Sequence, residues 1–217
     1  MTSGRRAANR GYGRLDRATI VAVGLGIARG EGLAAVTMRA IAEELGNAPM
    51  ALYRHVADRQ ALVAGMLDAV MAEIVPPEPS DDPREEIIGL CSAVYRALRR
   101  DGWAVLVQVV DGVATPVTLP LLERLYAALR AAGLSDADCH RAVAALRHHT
   151  YGVLLGTHRD RVDGFAGRLV RQADPDRYPA LASATRAADP HRVEGTFELG
   201  LEILVSGLLA QLGPTRN

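Results

Sequence analysis

Apolar residues recur along this chain at the three- to four-residue spacing of helices, and no stretch alternates convincingly as a strand would. Over residues 15–29, Ile20, Val23 and Ile27 share one face, and Gly30-Glu31-Gly32 stops the helix. A second helix carries Ile41, Ala42 and Leu45 on its inner face and breaks at Gly46. Asn47 and Ala48 complete the turn, and Pro49 opens a third helix, where the first position needs no backbone donor. That third helix, expected over 50–55, has only Leu52 and Val56 fit for burial. A fourth starts at Asp58, a fitting N-cap, and shows Leu62, Val63, Met66, Leu67, Val70 and Ile74 at helical spacing. It has to end before Pro76-Pro77-Glu78-Pro79, a cluster that cannot be helical and that marks a domain boundary.

Beyond the prolines the helical pattern resumes. Ile87, Leu90, Cys91, Val94 and Leu98 define one helix up to Asp101-Gly102, and a shorter apolar piece spans 103–110. Leu121, Leu122, Leu125 and Leu129 mark another, closed by Gly133. Ser135 with Asp138 reads as a capping box for a long helix reaching about residue 158. The pattern dissolves into a loop over 159–179, with a short helix over 178–188. Asp189-Pro190 then signals a last helix ending near Leu212. The organisation expected is a flexible basic arm over 1–14, a small helical domain over 15–75 and a larger one over 80–213.

Composition narrows the class. A chain of 217 residues, 49% hydrophobic, can bury a real core. No uninterrupted apolar run is long enough for a membrane span, and the basic N-terminus lacks a signal peptide's apolar stretch, so a cytoplasmic protein without membrane partners is expected. Cys91 and Cys139 lie far apart and read as buried, reduced thiols. Formal net charge is zero, but residues 1–60 hold nine arginines against five acids. The positive charge is concentrated on the first sixty residues. A short helix that buries little and exposes Met50, Ala51, Tyr53, Arg54 and His55 is shaped to enter a DNA major groove. The chain reads as a DNA binder.

The run from Thr37 through Arg39, Ile41, Ala42, Leu45, Gly46, Pro49, Leu52, Tyr53, His55 and Val56 to Arg59 resembles the tetracycline-repressor (TetR) family of regulators. The resemblance implies an all-α homodimer, with an N-terminal three-helix helix-turn-helix DNA-binding domain and a larger helical ligand-binding and dimerisation domain. It implies operator contacts from Thr37, Arg39, Pro49, Met50, Ala51, Tyr53, Arg54, His55 and Arg59. Arg39 and Arg54 suit base readout, since a guanidinium fork can grip guanine O6 and N7 together. Tyr53 and His55 match phosphate-contact positions, and Arg59 is expected against the DNA backbone.

The last helix is apolar around much of its circumference and so needs cover on two sides. Glycine costs about 1 kcal/mol in a helix interior, so Gly152, Gly156, Gly200 and Gly207 suggest close helix approach. With Leu204 and Leu208 they form the expected dimer seam, an intersubunit four-helix bundle. RRDGWAVL and HHTYGVLLG, and the run TFELGLEILVSGL, resemble the family's effector domain. Leu106 and Gly156 stand where the founding member binds its magnesium-chelated drug, so no metal and no cofactor is expected. The candidate effector pocket is instead Tyr95, Trp103, Gln108, His149 and Tyr151, suited to an apolar small molecule. No catalytic motif occurs, so no enzymatic activity is expected. The expected function is a homodimeric repressor released from its operator by a small-molecule effector. The alternative is a ligand-independent regulator or activator controlled by a protein partner.

Overall fold

Helix boundaries in this chain follow from local chemistry at each end. A computed structural model describes residues 15–159, 174–187 and 195–212, and among these every regular element is helical. In chain order they are α1 (Arg17–Glu31), α2 (Met38–Glu44), α3 (Pro49–Leu52), α4 (Arg59–Ala72), α5 (Pro83–Leu98), α6 (Gly102–Val109), α7 (Leu119–Ala131), α8 (Asp136–Arg159), α9 (Pro179–Ala187) and α10 (Thr196–Leu212). None of these helices is long and apolar enough to cross a membrane. The arm over 1–14, most of the 159–179 loop and the Asp189-Pro190 signal lie outside the described residues.

The starts are capped by side chains. Asp16 accepts from the Thr19 amide at 2.8 Å to open α1, and Asp58 accepts from the Ala61 amide at 2.7 Å to open α4. The Thr19 amide, and after it the Thr19 hydroxyl, holds the Asp16 carboxyl below its ordinary range. At α8, Ser135 Oγ accepts from the Asp138 amide and donates to the Asp138 carboxylate, a closed variant of the expected capping box. The ends are set by glycines in the left-handed region. After α7, Gly133 has φ +91°, its amide donates to Arg130 O, and the Leu134 amide reaches back to Leu129 O. Both bonds of a Schellman ending are present.

The chain divides into two compact units. One runs to Val70 and takes in Val113–Thr115; the other holds Met71–Gly112 and everything from Pro116 onward. In the first, Ile20, Val23, Ile41, Leu52, Leu62, Met66 and Leu67 make an apolar centre. Gly24 lets α1 close on α4, since a Cβ there would lie 2.9 Å from Met66 Sδ. Thr115, from the connection between α6 and α7, donates its hydroxyl to Asp68 on α4. Nothing in the hydrophobic pattern announced that this connection belongs to the first unit.

In the second unit α8 packs on α5, α6, α7 and α10. Ile87, Leu90, Leu98, Leu129 and Leu146 fill its interior, with Leu121 and Leu122 only half-buried. Phe197 is fully enclosed and stacked on Tyr95 with ring centroids 3.9 Å apart. Below α10, the space beside Gly200 is occupied by the His149 imidazole of the same chain: a Cβ would sit 2.3 Å from its Cε1. Gly200 therefore serves packing within the chain. Gly152, Gly156 and Gly207 have open space where a Cβ would go.

Two outcomes test this packing. Gly200→Ala should destabilise by about 1–3 kcal/mol in urea denaturation, the usual cost of overpacking, whereas Gly26→Ala, on an open face of α1, should stabilise by up to about 1 kcal/mol. Burial pushes the Cys91 thiol up from 9.0 to about 12. Because the folded value is the higher one, this contribution to stability is intact below about pH 9 and is lost as pH rises toward 12. Alkaline titration of wild type and Cys91→Ala should show a shallower loss of stability above pH 9 in the variant.

Candidate nucleic-acid interface

The first unit presents α2, a turn and α3. Thr37 Oγ1 accepts from the Ala40 amide at 3.0 Å, which opens α2 and sets Arg39 in its first turn, pointing to solvent. Met38, Ile41 and Ala42 bury the opposite face. Gly46, at φ +64°, reverses the chain; its amide donates to Glu43 O and the Asn47 amide to Ala42 O at 2.8 Å. A residue with a Cβ would be strained at that φ. Ala48 then caps α3, and Pro49 takes its first position.

α3 is shorter than the sequence pattern implies. The helix covers Pro49–Leu52, and Tyr53, Arg54 and His55 lie on the turn that follows rather than within it. The His55 and Val56 amides both donate to Leu52 O, at 2.9 and 3.0 Å. These bonds draw Val56 inward and end the helix. Leu52 at 0% and Val56 at 2% exposure are its anchors, whereas Met50 stands 76% exposed and Tyr53 46%. Pro49, Arg54 and His55 are exposed as well, and Ala51 is half-buried. The Met50 thioether, so fully presented to water, gains little from folding.

Arg59 is engaged within the chain. Its Nε donates to Val36 O and its Nη2 to Leu33 O, each at 3.0 Å. It fastens the start of α4 to the 3-10 turn at Leu33–Ala35. It supplies a donor to Val36 O and a second donor to Leu33 O, which also accepts from the Val36 amide at 3.2 Å.

The five residues expected to line an effector pocket, all in the second unit, are partnered inside the protein. Tyr95 is buried in the stack on Phe197, and His149 lies 5.6 Å from the same ring with its Nε2 3.0 Å from Phe197 O. The buried Trp103 indole donates to Asp101 Oδ1 at 3.2 Å. The Tyr151 hydroxyl donates to Gln108 Oε1 at 3.0 Å, and Gln108 Nε2 donates to Ala104 O. Burial raises the Tyr151 pKa above its usual value. The structure thus joins Tyr95 with His149 through Phe197, and Gln108 with Tyr151, while Trp103 only closes its own helix start. An open cleft of about 350 Å³ lies elsewhere, lined by Met71, Ile74, Val117, Pro120, Leu121 and Arg124 among others. None of the five borders it. Its walls come from the end of α4, the proline linker and the start of α7, so no single periodic segment points to it.

Comparison with known proteins matches this geometry. Residues 20–66 fit the family described as bacterial regulatory proteins, tetR family, and residues 75–212 fit the tetracyclin repressor-like C-terminal domain. This chain belongs to the TetR family. A transcriptional regulator of helix-turn-helix type from Saccharopolyspora erythraea is 31% identical over 208 residues, covering 92% of this chain and 86% of the relative. ActR of Streptomyces coelicolor, solved in complex with actinorhodin, superposes with a TM-score of 0.78 at 26% identity, covering 94% and 100% of the two chains. BioQ of Mycobacterium smegmatis, solved with its double-stranded DNA operator, superposes with a TM-score of 0.68 at 26% identity, covering 91% and 100%. The chain is thus a DNA-binding transcriptional regulator and not an enzyme.

Arg59, bonded within the chain, should separate from Arg39 and Arg54 in mutagenesis. Arg59→Ala should cost stability, about 1 kcal/mol, by removing the donor to Val36 O and one of the two donors to Leu33 O. Arg39→Ala and Arg54→Ala should leave the melting temperature nearly unchanged and weaken specific duplex binding by about 1–3 kcal/mol each. Calorimetry together with fluorescence anisotropy on operator DNA reads both; unaltered affinity in the Arg39 and Arg54 variants refutes the contact face.

Proposed function

We propose that this regulator is a homodimeric repressor that leaves its operator when a small organic effector binds its C-terminal domain. The observation that carries the DNA half of this reading is the exposed surface of Met50, Tyr53, Arg54 and His55 held over the buried Leu52 and Val56. Arg39 and Arg54 read base edges; Thr37, Tyr53 and His55 hold phosphates; Pro49, Met50 and Ala51 supply apolar contact. One bidentate base contact discriminates by only about 1–3 kcal/mol, so one such surface is too little to select a genomic site. Two copies are needed, on half-sites about 34–36 Å apart or a multiple of that. The work is done where the chromosome is, in the cytoplasm.

The dimer reading draws on α10. Phe197, Leu201 and Val205 face its own core, while Leu199 and Ile203 stand 63% and 64% exposed on the far side. A soluble helix does not leave two large aliphatic side chains one turn apart in water without a partner surface. The exposed Gly152 and Gly156 on α8 supply a second backbone-bare surface. Leu204 and Leu208 are half-buried on the core side of α10, and Gly207 is half-buried on its flank. The partner therefore covers Leu199 and Ile203 first, two residues that the hydrophobic pattern did not single out. The effector reading draws on ActR, a structural relative solved in complex with actinorhodin. A coupling of about 1–3 kcal/mol between ligand and operator lowers DNA affinity about 5- to 150-fold.

The test is oligomeric state joined to DNA binding. Light scattering on the purified chain should give a dimer. Leu199→Glu with Ile203→Glu should give monomers whose operator affinity falls at least about a hundredfold, since each half-site then binds alone. A monomeric wild type at micromolar concentration refutes the dimer reading. An operator complex indifferent to every fraction of a cell extract refutes the effector reading.

A further inference from the structure

The open cleft in the second unit has a composition that selects its occupant. Its volume of about 350 Å³ is at the lower end of small-molecule sites. Met71, Ala72, Ile74, Pro76, Val117, Pro120 and Leu121 make most of its wall apolar; Thr118 and Arg124 are the polar groups. Arg124 is three-quarters buried and already neutralised. Its Nε donates to Glu86 Oε1 at 2.8 Å, its Nη2 donates to Pro77 O at 3.0 Å, and the Glu86 side chain is 8% exposed. Glu86 in turn accepts from the Ser80 amide at 3.1 Å. The linker is pressed onto α5 as well: a Cβ on Gly89 would lie 2.9 Å from Pro77 Cγ. Arg124 and Glu86 together latch residues 77–80 onto α5 and α7.

Among the described residues nothing bonds the remaining amino group of Arg124, Nη1. It is a donor in an apolar cleft whose charge is cancelled from behind. A carboxylate or sulfonate placed there meets the buried Glu86 carboxylate a few ångströms further on and must also shed its water in an apolar cleft. A neutral carbonyl oxygen meets neither penalty.

We propose that this cleft binds an uncharged, mainly apolar molecule carrying a carbonyl-type acceptor, that Arg124 reads this acceptor, and that occupancy tightens the latched linker at the end of α4. The inference rests on the effector reading above and gives it a site and a ligand class. Residues Met71 and Ala72 are the last turn of α4, so the occupant sits directly against the helix that opens with Arg59.

The probe is prodan, a neutral naphthalene ketone, with anilinonaphthalene sulfonate as its anionic counterpart. Both are titrated into the full-length protein and followed by fluorescence. Prodan should bind once per chain with blue-shifted emission, and the sulfonate should bind about ten-fold more weakly or worse. Ala72→Trp and Leu121→Trp each fill the cleft and should weaken prodan about ten-fold or more. Ala72 is exposed, so that variant stays folded even where Leu121→Trp does not. Arg124→Lys, which keeps the charge and loses the fork, should weaken prodan while leaving sulfonate binding little changed. Hydrogen exchange of the amides over 74–82 should slow when prodan is bound.

Prodan binding that survives both tryptophan variants, or a sulfonate that binds tighter than prodan, overturns the proposal. So does an Ala72→Trp protein that releases its operator with the same extract fraction that releases wild type, an outcome that leaves the effector reading standing. If no fraction releases even wild type, the effector reading fails by itself, and the prodan titration still decides the cleft.

Discussion

A helix of one turn has no hydrogen-bonded interior, so α3 owes its shape to what it is fastened to. Nucleation costs more than four residues can return, and an isolated peptide with this sequence would not hold the conformation. Leu52, fully enclosed, and Val56, nearly so, supply the missing stability by joining the core that Ile20, Ile41, Leu62 and Met66 form. At about 25 cal/mol per Å² of apolar area, one fully buried leucine contributes about 2 kcal/mol, comparable to the binding energy expected from one base contact. The exposed side of α3 can thus vary in chemistry without losing its shape. Rigidity also matters for the proposed recognition, because Met50, Tyr53 and Arg54 would reach DNA without first having to be ordered.

Gly46 is the complementary constraint. Its positive φ places both bonds of the Schellman ending, and these decide where α2 stops and in which direction α3 leaves. Arg59 closes the far side by donating to Leu33 O and Val36 O, so the turn before α2 and the start of α4 move as one. The angle between α2 and α3 is held from three directions, by a turn, a buried pair and a guanidinium clamp. Neither the turn nor the buried pair touches DNA in the proposed complex.

Most of the helices were legible in the sequence because each has a period and a chemically marked end. Thr37, Asp58, Ser135, Gly46 and Gly133 act where their residue types predict. What escaped has no period to read. The shortening of α3 is decided by two amides turning to Leu52 O, a competition between helix and turn that composition does not reveal. The internal use of Arg59 depends on carbonyls more than twenty residues upstream. The cleft draws its walls from three separate stretches, and the expected pocket residues are engaged within the chain, Tyr151 with Gln108 and Tyr95 with Phe197. A polar side chain in an apolar run signals that a partner exists, not whether it is a ligand or a neighbour.

The glycines of the second unit show why pattern alone stops short at the seam. Four helical glycines suggest close approach equally, yet among the described residues only Gly200 has a neighbour, the His149 ring, where its Cβ would be. Gly152, Gly156 and Gly207 have none among the described residues. The same division runs through α10. Phe197, Leu201 and Val205 recur every fourth residue and face inward, which turns Leu199 and Ile203 to the opposite side. A helix apolar on both sides cannot be at its free-energy minimum with one side in water. Its second face and the unexplained glycines of α8 ask for the same thing, a second helical surface. If that surface is another copy of the chain, whatever shifts the seam shifts the spacing of two recognition surfaces at once, and a change of a few ångströms there is enough to spoil a match to half-sites one helical turn apart.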